Sequence, residues 1–107
     1  MAQQPPTFYD TLVTAEHEGN RAIVSAYGKA IKEHGNDPHK IEDLIAALKS
    51  RLYYWLERLD ISIHTPHFPT IRHRVTTYEN LLKEAETYAR TTFTNEYFAN
   101  KREKEGE

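Results

Sequence analysis

Residues 37–60 read DPHKIEDLIAALKSRLYYWLERLD, and this stretch decides the fold. Asp37 is a residue type that caps helices, and Pro38 suits the first helical position, where its missing N–H costs nothing. Ile41, Ile45, Leu48, Leu52, Trp55 and Leu59 then follow at alternating spacings of four and three. That is an unbroken heptad seam, widened by Leu44 and Leu56 to roughly 120° of the helix surface. A helix over 38–60 follows, and its seam needs partners on both sides.

Upstream, Thr7 and Asp10 have the spacing of a short capping box, and apolar residues keep helical spacing from there to His34. Phe8, Leu12, Ala15, Gly19, Ala22, Ala26 and Ala30 form one stripe. Tyr9, Val13, Val24, Tyr27 and Ile31 form a second, with Ile23 between them. Together they span roughly 200°, about twice what one core face requires. Glu16 and Asn20 interrupt this arc within EHEGNR. Two readings stand side by side. In one, Gly19 and Asn20 end a first short helix and begin another, leaving the polar residues solvated. In the other the helix continues, and Glu16 is buried with a partner and a raised pKa.

Downstream, Ile61 and Ile63 alternate with polar residues between Asp60 and Phe68, and Pro66 and Pro69 bracket the turn. The expected conformation is a short extended connection that tucks both isoleucines under the bundle. Ile71, Val75, Tyr78, Leu82, Ala85 and Ala89 repeat the heptad spacing, which predicts a helix over 69–100. At 1.5 Å per residue such a helix rises about 45 Å against about 34 Å for 38–60. Its overhang carries Phe93, Tyr97 and Phe98, with Thr91, Thr92 and Thr94 around the first of them.

The fold class expected is all-α: an up-down-up three-helix bundle of helices 7–34, 38–60 and 69–100, or four helices if the first breaks at Gly19. Residues 1–6 read as a flexible lead, 7–100 as one domain and 101–107 as a charged tail. A length of 107 residues suits one core, and 28% charged against 38% hydrophobic residues suits one buried seam per helix.

No cysteine occurs, which removes disulfides, thiolate metal sites and cysteine nucleophiles. The opening MAQQPP lacks signal-peptide character, and no apolar run approaches the roughly 18 residues of a membrane span. A cytoplasmic protein away from membranes is expected. His64, His67 and His73 are the best metal grouping, but no convincing fourth ligand accompanies them. Arg58 and His64 fit a loose Arg-x(4–6)-His spacing used by helical ribonucleases. With seven arginines and six histidines, roughly one such match arises by chance, and it carries no resemblance. No catalytic residue, metal or cofactor is assigned.

Nucleic-acid binding is the first alternative function. Lys49, Arg51 and Arg58, joined by Arg72 and Arg74, could share one positive face with tyrosines interleaved. The net charge of −2 and the interspersed Asp43, Glu57 and Asp60 weigh against it. A helical ribonuclease or metal-dependent enzyme is the second alternative. The preferred expectation is a non-catalytic protein acting through protein–protein contacts, as an assembly or adaptor subunit or a homo-oligomer. Its candidate interface residues are Val13, Tyr27, Ile31, Tyr54, Phe93, Tyr97 and Phe98, taken from the surplus apolar arc, the back of the central helix and the C-terminal overhang.

Overall fold

The structure, a computed structural model, describes residues 7–93. These are all-α, with no strand among them. Four helices follow one another: α1 (Phe8–Glu18), α2 (Asn20–His34), α3 (Pro38–Ile61) and α4 (Phe68–Thr92). The expected lead at 1–6 and the tail at 101–107 lie outside the described residues.

The caps read from the sequence are formed. The Asp10 N–H donates to Thr7 Oγ1 at 3.1 Å, and the Thr7 N–H donates to the Asp10 carboxylate at 3.2 Å. The Asp37 carboxylate accepts from the N–H groups of His39 and Lys40, with Pro38 in the first turn. Each cap satisfies donors that the first helical turn leaves without partners.

The long first helix is split at Gly19, so the described residues form four helices, as the sequence allows for a break there. Gly19 sits at φ 120°, ψ 176°, a conformation accessible essentially to glycine alone. Its N–H still closes α1 on the Ala15 carbonyl. Its own carbonyl accepts from Ala22 and Ile23, which opens α2. This one-residue interruption divides the wide apolar arc between two helices. Leu12 and Ala15 from α1 and Ile23, Tyr27 and Ala30 from α2 all enter the core, while Tyr9 and Val24 turn outward.

The core is completed by Ile41, Leu44, Leu48 and Leu52 from α3 and by Val75, Tyr78, Leu81, Ala85 and Ala89 from α4. Each large aliphatic buried here contributes about 1.5–3 kcal/mol. The closest helix partnership is α3 with α4, and α1 packs on both α2 and α3.

Two expectations are corrected at the ends of α3 and α4. Residues 62–67 form a succession of turns instead of an extended segment, and α3 itself runs on to Ile61. Ile61 and Ile63 are not tucked under the bundle but stand 76% and 54% exposed. Ser62 takes the inward position between them, its hydroxyl donating to the Leu59 carbonyl. The helix expected over 69–100 begins at Phe68 and is capped at Phe93, which leaves α3 and α4 nearly equal at 24 and 25 residues, and its 94–100 part lies outside the described residues. Phe93 meets Tyr88 edge-to-face at a centroid distance of 6.4 Å.

Candidate functional site

All four helices contribute to one buried polar cluster. Glu16 projects from the last turn of α1, three residues before the Gly19 break. Arg51 lies on the core side of α3, seven residues after Leu44 and four after Ala47, both buried. Its Nε and Nη2 donate to the two Glu16 carboxylate oxygens at 2.7 and 2.6 Å, a bidentate fork that fixes both side chains. Tyr78, on α4, donates its hydroxyl to Glu16 Oε2 at 2.5 Å. Arg51 Nη1 donates to the Tyr9 hydroxyl at 3.0 Å, and the guanidinium lies 4.2 Å from the Tyr54 ring centroid. The Glu16 and Arg51 side chains are only 7% and 8% exposed.

A second arginine stitches across the helix break. Arg74 sits one turn before Tyr78 on α4. Its Nε donates to Asn20 Oδ1 at 2.5 Å and its Nη2 to the Glu16 backbone carbonyl at 3.3 Å. The Glu16 carboxylate is 3.9 Å away, and the guanidinium lies over the Trp55 ring at 5.0 Å. Arg74 thus grips both the last turn of α1 and the first residue of α2. The Trp55 indole N–H is buried without a hydrogen-bond partner of good geometry, yet it lies close enough to favour the ionised Glu16 carboxylate.

The electrostatics follow from this geometry. Burial by itself pushes the Glu16 carboxyl up, but the hydrogen bonds from Arg51 and Tyr78 outweigh it and hold the group below the usual carboxylate value. The hydrogen bond to Glu16 raises Arg51 further above its already high value. Burial, then the hydrogen bond to Glu16, raises Tyr78. A carboxylate held ionised and ringed by donors is a poor proton acceptor, and three of its partner's five guanidinium N–H groups already donate to Glu16 and Tyr9. The arrangement is suited to holding helices together.

Both readings of EHEGNR were half right. The helix breaks at Gly19, yet Glu16 is buried, and its pKa moves down instead of up because two donors reach it. Arg51 and Arg74, grouped by sequence with the exposed cations, are withdrawn into this cluster, whereas Lys49, Arg58 and Arg72 remain exposed. Arg51 was legible in principle, since its spacing from Leu44 and Ala47 places it on the core arc. Nothing local in the sequence points to Tyr78 or Tyr9 as partners of this pair.

Among the candidate interface residues, Tyr27 is a core residue at 5% exposure. Phe93 packs on Tyr88, and Val13 and Ile31 are half-buried. Tyr54 remains exposed, with Arg51 and Arg58 over its ring. Tyr97 and Phe98 lie outside the described residues. The sequence reading missed that Leu56, Ile61 and Ile63, along the end of α3 and the turn after it, are exposed as Tyr53 is.

His64, His67 and His73 are exposed, and among the described residues no three His, Asp or Glu side chains converge to hold a metal ion. No described helix is long and apolar enough to cross a membrane. No family model, curated protein or solved structure matches this chain.

Proposed function

We propose that this protein works through protein–protein contacts, as a homo-oligomer or as an assembly or adaptor subunit, without chemistry of its own. The observation that carries the reading is the apolar surface left outward at the C-terminal end of α3. Tyr53 is 64% exposed and Leu56 36%, and the exposed Ile61 and Ile63 follow five and seven residues after Leu56. A run of large apolar side chains turned to water near tyrosine and arginine has the composition of an interface anchor. The buried cluster supports the same reading from the other side, because its charged groups are spent on one another. The cytoplasm is the proposed place of action, which suits a chain without cysteine.

The test is a Leu56→Glu, Ile63→Glu variant, compared with the parent chain by sedimentation equilibrium and by co-purification from the native source. Both side chains are exposed, so helix content should be unchanged. Loss of self-association or of a co-purifying protein is expected. A variant that matches its parent in both assays refutes the reading. Anisotropy of labelled oligonucleotides at low salt tests the nucleic-acid alternative through the exposed Lys49, Arg58 and Arg72.

A further inference from the structure

The outward face of α3 is ordered as well as apolar. At 100° per residue Ala46, Lys49, Tyr53, Leu56 and Asp60 fall within a stripe about 80° wide. All five are exposed, on the side of the helix away from the buried Ile41, Leu44, Leu48 and Leu52. Their alternating spacing of three and four is that of a seam presented to another helix. Its charges are unlike and flank the apolar pair, with Lys49 one turn before Tyr53 and Asp60 one turn after Leu56. Neither takes part in an ion pair among the described residues.

We propose that α3 pairs antiparallel with α3 of a second copy across this stripe; the inference rests on the contact reading above and names its partner. With the two-fold axis between Tyr53 and Leu56, the stripe complements itself. Tyr53 meets the partner's Leu56, and Lys49 meets the partner's Asp60. Each contact occurs twice, as an isologous interface requires. Competing arrangements are worse. A parallel pair sets Lys49 against the partner's Lys49 and Asp60 against the partner's Asp60. Moving the axis one turn toward the N-terminus brings Asp60 against the partner's Glu42, and moving it one turn the other way sets Leu56 on the partner's Asp60.

In the complementary register residues 48–61 of the two helices overlap, which is about 20 Å at 1.5 Å per residue. The turn at 62–67 extends the contact over the N-terminal half of the partner's α3. An interface of this length falls at the lower end of the specific range, near 1,200 Å² in total. It therefore forms a dimer that responds to concentration.

Charge exchange tests the register directly. Sedimentation equilibrium of the full chain at low salt should show a reversible monomer–dimer equilibrium. Lys49→Glu alone places two acidic pairs across the axis, and Asp60→Lys alone places two basic pairs. Each should weaken association by at least about tenfold. An equimolar mixture of the two variants restores both attractive pairs, as does the double variant in one chain, and association should return toward the parent value. Circular dichroism checks that these surface changes leave the helices intact. A parent chain that stays monomeric at the highest attainable concentration overturns the inference, and the contact reading is then decided by the co-purification arm alone. A parent dimer that is indifferent to the single changes, or not rescued by mixing, also overturns this register. In that case loss of the dimer on Leu56→Glu, Ile63→Glu leaves the contact reading standing.

Discussion

Replacing Arg51 by Met removes the guanidinium while keeping most of the side-chain volume, and it leaves Glu16 buried without its principal partner. The two N–O distances are 2.7 and 2.6 Å, and both side chains are less than a tenth exposed. Opposite charges about 4 Å apart attract by about 4 kcal/mol at an effective dielectric constant near 20. Breaking a buried pair from one side costs about 3–5 kcal/mol, since the remaining charge keeps its desolvation penalty. A domain of this size has a total stability of about 5–15 kcal/mol. At about 4–8 °C per kcal/mol, the melting temperature should fall by at least about 12 °C.

Urea denaturation followed by circular dichroism, at about pH 7 and again at about pH 5, measures the loss and its sign. In the parent chain the folded pKa of Glu16 lies below its ordinary value of 4.5. The stability linked to it is complete above that value and is lost as pH falls through the lower folded pKa. In Arg51→Met the carboxylate is desolvated without its guanidinium, so protonation relieves the penalty and the variant should regain stability on acidification. Replacing both partners, Glu16→Leu with Arg51→Met, should recover most of the loss, because an apolar pair leaves no buried charge. A loss below about 1 kcal/mol in Arg51→Met would equate the pair with a solvated surface bridge and refute its role in fastening α1 to α3.

Two further outcomes follow from the backbone and from the tyrosines. A side chain at Gly19 meets nothing within 4 Å but must adopt φ 120°, so Gly19→Ala should cost about 1–3 kcal/mol. Gly28, inside α2 and equally unobstructed, should gain about 0.5–1 kcal/mol on change to Ala; equal signs in urea denaturation would contradict the break. Burial, followed by the charge of Glu84 and the nearby Tyr88, pushes Tyr27 up to about 12. The stability linked to its protonated form is complete below about pH 10 and lost as pH rises through about 12. Tyr27→Phe should lessen that alkaline loss, as read from unfolding and tyrosinate absorbance; an unchanged alkaline profile contradicts the assignment.

Much of the framework was legible because it depends on local periodicity. The heptad seams of α3 and α4, the Thr7 and Asp37 caps and the glycine at the first hinge each combine neighbours within a turn or two of chain. The connection after α3 was misread because alternating Ile61 and Ile63 look like a buried edge. Which of them turns inward depends on whether the helix has already ended, and Ser62 occupies the inward place. The candidate interface fared unevenly for a similar reason. Tyr27 belongs to an arc too wide for one core face, and nothing local in the sequence says which part of that arc the packing of α2 buries; it is Tyr27, with Ile23 and Ala30.

The sequence by itself determined the all-helical class, the position of α3 and the existence of a polar interruption at Glu16 and Asn20. These depend on spacing, and spacing is carried by the chain. Only the tertiary structure decided what the interruption does. Arg51 and Tyr78 lie 35 and 62 residues from Glu16, and no local pattern records a meeting across that distance. The packing of α1 on α3, with α4 against α3, brings the carboxylate and its donors within hydrogen-bond reach, lowers a pKa that burial would have raised, and removes Arg51 and Arg74 from the exposed surface. Among the described residues it also leaves Lys49, Tyr53, Leu56 and Asp60 of α3 facing outward.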